Sequence, residues 1–314
     1  MPKADLQSLS GHAASDICFG CMQFGGTANH SESLAMFETC RNAGLNFFDT
    51  ANAYTDGTSE TWLGEFARSA RDDLIIATKA GYIGGSGRQN LLRQFEESRR
   101  RLGFDVIDIL FLHRWDAETA LEETFETLAR LQSDGQIRQI GVSNFAAWQV
   151  MKAQTVAQSL GTAIDILQPM YSLVKRQAEV ELFPMALSEG LKVAAYSPLG
   201  GGLLTGKYRA GGDGRLVEDQ RYAARYGQSW MFETANALAE LGREVGIDPA
   251  TLAVAWAKSH PSVSAPIISA RDVRQLEPSL AAGQLELSDE LHDRISALSP
   301  RPAPATDRLE EAGG

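Results

Sequence analysis

Eight short runs of apolar residues recur along the chain, and each is separated from the next by a longer stretch with helical periodicity. The runs are rich in Val, Ile, Leu and Phe: DICFG, LNFFDT, DLIIATK, VIDILFLH, IRQIGVSN, IDILQP, LKVAAYSP and SAPIIS. Runs that are apolar almost throughout are typical of parallel strands covered on both faces, and no hairpin turn joins one run to the next. The pattern predicts eight parallel strands connected by helices.

Two of these helices have visible start signals. One is expected to begin after Asp116, a candidate N-cap, and to end near Gly135. Its apolar stripe consists of Leu121, Phe125, Leu128 and Leu131. A second helix is expected to begin at Asp248 and Pro249, because aspartate accepts hydrogen bonds from the first amides and proline suits the first turn.

The count of eight favours one α/β domain, a (β/α)8 TIM barrel, with an open doubly wound sheet as the competing topology. We expect a single catalytic domain over residues 1–298 and a mobile C-terminal tail, biased to Pro and Ala, over residues 299–314. A glycine-rich connection between Ser197 and Gln228 is too long for a simple turn and is predicted to be a functional loop.

Composition narrows the classes of function. The chain has 44% hydrophobic and 22% charged residues, as globular proteins do, and its formal net charge of -11 argues against nucleic acid as a partner. No apolar run reaches the roughly 18 residues of a membrane helix, and the first residues lack the apolar segment of a secretory signal. We therefore expect a cytoplasmic protein without a membrane partner, whose three cysteines are reduced.

Polar residues follow the apolar runs. In a barrel of parallel strands these positions meet at the carboxyl face, where such enzymes build their active sites. Taken singly, each has an ordinary structural explanation, such as a helix cap, a solvated charge or a buried histidine. Their convergence on one face nevertheless predicts a pocket. They are Asp49, Tyr54, Lys79, His113, Ser143, Asn144, Gln168, Tyr196, Ser197 and Ser269.

Three of these residues suggest proton transfer. A buried lysine is costly unless it is paired, and Asp49 lies at the end of the strand next to that of Lys79. An ammonium near Tyr54 would favour the phenolate and lower the pKa of the tyrosine toward working pH. A tyrosine tuned in this way can act as a general acid on a carbonyl oxygen.

The motifs FDTANAYTDGTSE, IATKAGY, DILFLHRWD, IGVSNF, LQPMYSLVKRQAEVELFP and AAYSPLGGGLLTGKY resemble those of the aldo-keto reductases over almost the whole chain. The resemblance implies reversible hydride transfer between a nicotinamide dinucleotide and an aldehyde, ketone or sugar. It also implies that Tyr54 is the proton donor, that Asp49 and Lys79 tune it, and that His113 orients the substrate carbonyl.

The same resemblance implies a cofactor site. Ser143, Asn144 and Gln168 match positions that bind the nicotinamide carboxamide, and Tyr196 matches the aromatic residue that stacks on the nicotinamide ring. Backbone amides of a glycine-rich loop and one lysine make a reasonable phosphate cradle, and the chain lacks the Rossmann fingerprint. The pyrophosphate is expected at Ser197, Leu199, Gly201 and Lys207.

The adenosine end departs from the family pattern, because this chain reads IISARDVRQLEPS where many relatives read IPGAR or IPKS. Arg271 is the cation that could pair with a 2′-phosphate, or instead stack on adenine. NADPH is therefore favoured modestly over NADH. The adenosine subsite is expected at Ser269, Arg271, Gln275 and Ser279.

The substrate is defined least. Met22, Tyr82 and Trp115 are expected to form an aromatic and apolar wall. Arg114 could face either the substrate or solvent, and solvent is favoured. We expect no counterpart of the long C-terminal substrate loop of some relatives, and such an open site would favour broad specificity, for example for aldehydes or sugars. The sequence leaves the physiological substrate and the oligomeric state open.

Two other functions compete with this one. Lys79 could form a Schiff base in an aldolase, although a neighbouring carboxylate raises the pKa of a lysine and opposes that chemistry. The resemblance also allows a cofactor-binding regulatory subunit of a membrane channel. A metal-dependent hydrolase is disfavoured, because the five histidines form no metal-binding motif and no metal is expected.

Overall fold

The structure is a computed structural model that describes residues 6–210, 214–308 and 310. Eight parallel strands form a closed barrel in chain order, and the last strand pairs with the first. Seven strands fall within predicted apolar runs and β3 extends one residue past its run, to Ala80, so the predicted single-domain barrel is confirmed and the open sheet is excluded. The strands are β1 (Cys18–Gly20), β2 (Phe47–Asp49), β3 (Ile75–Ala80), β4 (Ile107–Leu112), β5 (Ile137–Ser143), β6 (Ile166–Gln168), β7 (Lys192–Tyr196) and β8 (Ala265–Ile268).

Helices follow the strands and cover the outside of the barrel. They are α1 (His30–Asn42), α2 (Thr58–Ala67), α3 (Arg88–Leu102), α4 (Leu121–Ser133), α5 (Ala147–Ser159), α6 (Leu182–Glu189), α7 (Arg215–Glu218), α8 (Gln220–Tyr226), α9 (Ser229–Val245), α10 (Pro249–Ser259), α11 (Val273–Ala281) and α12 (Asp289–Ser296). Among the helices of the described residues, none combines the length and the hydropathy of a membrane-spanning segment.

One predicted helix start is confirmed and the other is wrong. Asp248 caps α10, since its Oδ1 accepts a hydrogen bond from the amide of Ala250 at 2.7 Å. Asp116 does not cap α4, which begins at Leu121 after an N-cap without a side-chain hydrogen bond. Oδ2 of Asp116 instead accepts a hydrogen bond from the amide of Ser86 at 2.7 Å. The carboxylate therefore joins the loops that follow β3 and β4.

The lumen of the barrel is packed with side chains. Its buried residues include Phe47, Ile75 and Phe111, which form a cluster separate from the one beneath the helices. A Cβ atom at Gly141 would collide with the ring of Phe111, so this glycine lets the lumen close. Because buried side chains fill this part of the lumen, the polar groups that a ligand would meet are expected at the ends of the strands.

The glycine-rich connection after β7 forms two 3-10 helices, Gly200–Thr205 and Lys207–Ala210, before α7 and α8. The rings of Tyr222 and Tyr226 on α8 pack against Gly201. Helix α8 therefore lies against this connection at the carboxyl face. Residues 211–213 of the connection lie outside the described residues.

The C-terminal segment begins where packing on the barrel ends. Arg176 Nη1 donates to Ser299 Oγ at 3.3 Å, and beyond this contact residues 300–308 are exposed or half-buried. Positions 309 and 311–314 of the predicted tail lie outside the described residues, so its mobility stays a prediction.

Candidate active site

The ends of three neighbouring strands bring the predicted catalytic residues together. Strand β2 ends at Asp49, Lys79 is the penultimate residue of β3, and His113 directly follows β4. The parallel ladder continues past the strands, because the amide of Asn52 donates to the Lys79 carbonyl at 3.0 Å and the amide of His113 donates to Ala80 at 2.8 Å. These bonds fix the backbone from which the side chains project.

Lys79 and Asp49 form a buried ion pair, with 1% and 3% of the two residues exposed. The Nζ atom of Lys79 donates to Asp49 Oδ2 at 2.5 Å, to the Thr50 carbonyl at 2.7 Å and to the hydroxyl of Tyr54 at 3.4 Å. All three ammonium donors are thus occupied. Burial lowers the pKa of Lys79, but the contacts with Asp49 and Tyr54 outweigh it and raise the pKa above its ordinary value. Lys79 therefore remains a cation.

Tyr54 is half-buried beside the ammonium, which also lies 4.9 Å from the centre of its ring. Burial raises the pKa of Tyr54 above that of an ordinary phenol, although the charge of Lys79 lowers it. The expected sign of the lysine effect is correct, but the expected net fall in pKa is wrong, because loss of solvent outweighs one ammonium. Tyr54 consequently carries its proton at neutral pH, as a proton donor must.

The imidazole of His113 faces Tyr54, with ring centres 5.7 Å apart in an edge-on arrangement. Burial, and then the positive charges of Lys79 and Arg114, lower the pKa of His113 to about 3. Its ring is therefore neutral at physiological pH. Within the described residues, its Nδ1 is a buried nitrogen without a hydrogen-bond partner, which leaves one ring atom to be satisfied by a ligand or water.

Four of the predicted nicotinamide-binding residues form one hydrogen-bonded row across β5, β6 and β7. Ser143 donates to the Gln168 carbonyl at 2.9 Å, and the hydroxyl of Tyr196 donates to Asn144 Oδ1 at 2.7 Å. Asn144 Nδ2 donates to the Ser143 hydroxyl at 3.1 Å, while Gln168 Nε2 donates to Asp49 Oδ1 at 2.8 Å. The row is therefore linked directly to the ion pair.

The predicted phosphate loop follows directly from Tyr196. Ser197 has a left-handed backbone with φ 60°, and Gly201 and Gly202 also have positive φ. The ammonium of Lys207 lies 4.9 Å from the Tyr208 ring and closes back toward Gly202. The loop thus brings glycine backbone and one lysine together, as a phosphate cradle requires.

The predicted adenosine subsite comprises the end of β8 and helix α11. Ser269 directly follows β8, whereas Gln275 and Ser279 lie on α11. Among the described residues, the hydroxyls of Ser269 and Ser279 are buried without a hydrogen-bond partner. Unsatisfied buried hydroxyls are costly, so they fit a polar ligand that would accept from them. Arg271 precedes α11 and is half-buried.

Aromatic residues surround the mouth of the site. The ring of Tyr82 lies 4.8 Å from that of His113 and is 43% exposed. Arg114 is exposed, as expected, and its guanidinium stacks 5.0 Å above Tyr82. Trp115 packs edge-on against Phe145 at 5.2 Å, behind this rim. The predicted wall therefore has an aromatic face next to the imidazole.

The sequence analysis missed a second buried charge beneath the site. Glu60 on α2 is fully buried and pairs with Arg101 of α3 at 3.0 Å. A signal for it exists in the sequence, because Glu60 shares the apolar stripe of α2 with Leu63 and Ala67. A charged residue on a buried stripe needs a partner, and that partner lies 41 residues away in the chain.

Comparison with known proteins identifies the family. The sequence model of the Aldo/keto reductase family matches residues 16–300. The chain belongs to this family. It is 32% identical to a probable voltage-gated potassium channel subunit beta of Oryza sativa subsp. japonica, over 92% of this chain and 94% of the relative.

Two further relatives are named as oxidoreductases. A norsolorinic acid reductase of Emericella nidulans is 32% identical over 91% of this chain and 78% of its own. An uncharacterized oxidoreductase of Bacillus subtilis (strain 168) is 30% identical, over 95% and 96% of the two chains. This aldo/keto reductase is therefore an oxidoreductase enzyme, from a family that generally uses nicotinamide cofactors on small carbonyl compounds.

Proposed function

We propose that this enzyme reduces small aldehydes, ketones or sugars, and oxidises the corresponding alcohols, with NADPH as the preferred cofactor and NADH as the weaker one. The observation that carries the proposal is the contact of one buried ammonium, Lys79 Nζ, with both Asp49 and the hydroxyl of Tyr54. The neutral ring of His113 lies edge-on to the ring of Tyr54, with 5.7 Å between the ring centres. An acid beside a neutral hydrogen-bond donor is what a carbonyl oxygen needs as it gains a proton.

The residues present fit a dinucleotide. The row of Ser143, Asn144 and Gln168 offers amide and hydroxyl groups to a carboxamide, and Tyr196 offers a ring for stacking. The unsatisfied hydroxyls of Ser269 and Ser279 support an adenosine end near α11. The pyrophosphate would lie on Ser197, Leu199, Gly201 and Lys207, with Arg271 and Gln275 beyond it.

The protein groups have separate tasks in carbonyl reduction. The reduced nicotinamide, when bound, supplies a hydride to the carbonyl carbon. His113 donates a hydrogen bond that holds the carbonyl oxygen, and Tyr54 transfers its hydroxyl proton to that oxygen. Lys79 stabilises the resulting phenolate, and Asp49 keeps Lys79 charged. In alcohol oxidation the same phenolate accepts the proton.

Lys79 is poorly suited to an aldolase, since a Schiff base requires an unprotonated amine and the pKa of Lys79 is raised. Borohydride treatment in the presence of a carbonyl compound should therefore leave the mass of the protein unchanged. A covalent adduct on Lys79 would favour the aldolase instead.

A panel of aldehydes, ketones and sugars, assayed by the absorbance of NADPH and NADH, tests the proposal. We expect turnover with both dinucleotides and a higher kcat/KM with NADPH. Tight cofactor binding without turnover on any carbonyl compound would favour a regulatory subunit instead of an enzyme; the Oryza sativa relative is named as a probable channel subunit beta.

A further inference from the structure

We propose that Glu60 is a positioning residue, which holds Tyr54 against Lys79 through two separate contacts of one buried carboxylate. This inference rests on the proposed role of Tyr54. Glu60 itself lies beneath the site, on α2, and touches neither the ammonium nor the phenol in any described contact.

The first contact leads to Lys79. The hydroxyl of Thr78, which is fully buried, donates to Glu60 Oε1 at 2.6 Å. Thr78 is the neighbour of Lys79 on β3, so its side chain points to the opposite face of the strand. Glu60 therefore holds the outer face of β3 at the position where the inner face presents the ammonium.

The second contact leads to Tyr54. Arg101 Nη1 bridges Glu60 Oε2 and the carbonyl of Asn52, each at 3.0 Å. Asn52 lies two residues before Tyr54, and its amide is already bonded to the Lys79 carbonyl. The guanidinium thus fixes the segment that carries the phenol, and the carboxylate fixes the guanidinium.

The segment after Tyr54 needs such support because its backbone is strained. Thr55 and Asp56 have φ of 45° and 50°, and Gly57 has φ of 90°. Left-handed conformations at two successive non-glycine residues are costly and persist only where surrounding contacts impose them. A Cβ atom at Gly57 would collide with the guanidinium of Arg101, so the turn and the arginine fit each other closely.

A direct charge effect of Glu60 and a positional effect have opposite signs. Replacing Glu60 by glutamine removes a negative charge, which by itself would lower the pKa of Tyr54. If the carboxylate instead holds the phenol near Lys79, its loss weakens the ammonium contact and raises that pKa. The groups that act on Tyr54 directly are Lys79 and Asp49 from β3 and β2, with Tyr222 from α8.

The test compares Glu60→Gln, Thr78→Val and Thr78→Ser with Asp108→Asn. The last variant removes an equally buried carboxylate at the far end of the barrel. We expect Glu60→Gln and Thr78→Val to move the basic limb of alcohol oxidation upward by about 0.5 to 1 pH unit. Thr78→Ser keeps the hydroxyl and should show the wild-type pH profile of alcohol oxidation. Asp108→Asn should show the same profile, whatever it costs in stability.

The phenol can also be followed without turnover, by NMR of isotopically labelled tyrosine with the Tyr54 signal assigned from Tyr54→Phe. Its titration should move in the same direction and by the same amount. A downward or absent shift in folded Glu60→Gln, or an equal shift in Asp108→Asn, would overturn the inference. If Glu60→Gln does not fold, the comparison of Thr78→Val with Thr78→Ser decides. Equal pH profiles of alcohol oxidation in these two variants would overturn the inference.

The outcome is separable from that of the proposed function. Wild-type turnover in Tyr54→Phe would remove the role of Tyr54 in the reaction, whatever the titration of the phenol shows. Unchanged titration in the Glu60 and Thr78 variants would remove only the positioning role.

Discussion

Two buried clusters of charge lie at opposite ends of the same barrel. At the amino end Asp108, on β4, is 1% exposed and accepts from Arg71 and Arg138, each at 2.8 Å. At the carboxyl end Asp49 is 3% exposed and accepts from Lys79 at 2.5 Å. Both carboxylates are therefore buried and paired, although Asp108 has two arginine partners, one of them 34% exposed, and Asp49 has one buried lysine.

The difference lies in what surrounds each ion pair. Asp108 also accepts from the amide of Ile76 at 2.9 Å, so all its contacts are with permanent protein groups. Lys79 instead contacts the hydroxyl of Tyr54, next to a neutral imidazole with one unsatisfied ring nitrogen. A buried ion pair alone thus indicates nothing about catalysis, whereas an ion pair that contacts a titratable hydroxyl does.

The largest expected effect that separates the two ends is on turnover. Tyr54→Phe removes the proposed acid, so turnover should fall by roughly 10²- to 10⁴-fold with little change in cofactor affinity. Steady-state kinetics and cofactor titration measure the two quantities. Tyr171→Phe is the control, because that buried hydroxyl donates to Glu179 at 2.8 Å outside the site. Equal losses in both variants would contradict the assignment.

Asp49→Asn and Asp108→Asn should both destabilise the protein. Asp49→Asn leaves the buried Lys79 without its carboxylate, which costs about 3 to 5 kcal/mol. Asp108→Asn leaves Arg71 and the more exposed Arg138, so its cost should be smaller, and urea unfolding measures both. Only Asp49→Asn should also lose turnover in the protein that remains folded. If Asp108→Asn were equally inactive while folded, the contrast between the two ends would disappear.

A smaller effect is expected in cofactor choice at the carboxyl end. If Arg271 pairs with a 2′-phosphate, Arg271→Ala should weaken NADPH binding by about 1.5 to 3 kcal/mol and leave NADH binding nearly unchanged. Arg274→Ala, one turn away and exposed on α11, is the matched control. Equal losses for both dinucleotides would indicate stacking on adenine.

The smallest effect, counted per pH unit, is the loss of stability in acid. The folded-state pKa of His113 is about 3, below the ordinary 6.5, so its contribution to stability is complete above pH 6.5 and is lost as the pH falls toward 3. Within this window it should cost about 1.4 kcal/mol per pH unit. We therefore expect the free energy of unfolding, measured by urea unfolding at several pH values, to depend less on pH in His113→Gln than in His30→Gln. His30 is exposed and serves as the control. Parallel slopes would refute the low pKa.

The sequence alone determined the barrel and the identity of the residues at its carboxyl face. Eight apolar runs without hairpins admit few other folds, and each polar residue after a strand had to lie near the others. Asp49, Lys79, Tyr54 and His113 do lie together, because strand order fixes which ends are neighbours. Local signals worked where the contact is local, as at Asp248.

Only the tertiary structure decided contacts that join distant segments and the balance of opposing electrostatic effects. Asp116 failed as a cap because its carboxylate bonds the amide of Glu118, in the turn before α4, and the amide of Ser86, 30 residues away, instead of an amide of α4. The pKa of Tyr54 rose instead of falling because burial, which depends on the whole fold, outweighs the lysine. The partnership of Glu60 with Thr78 and Arg101 was hidden for the same reason, since no local pattern encodes which buried charges will meet.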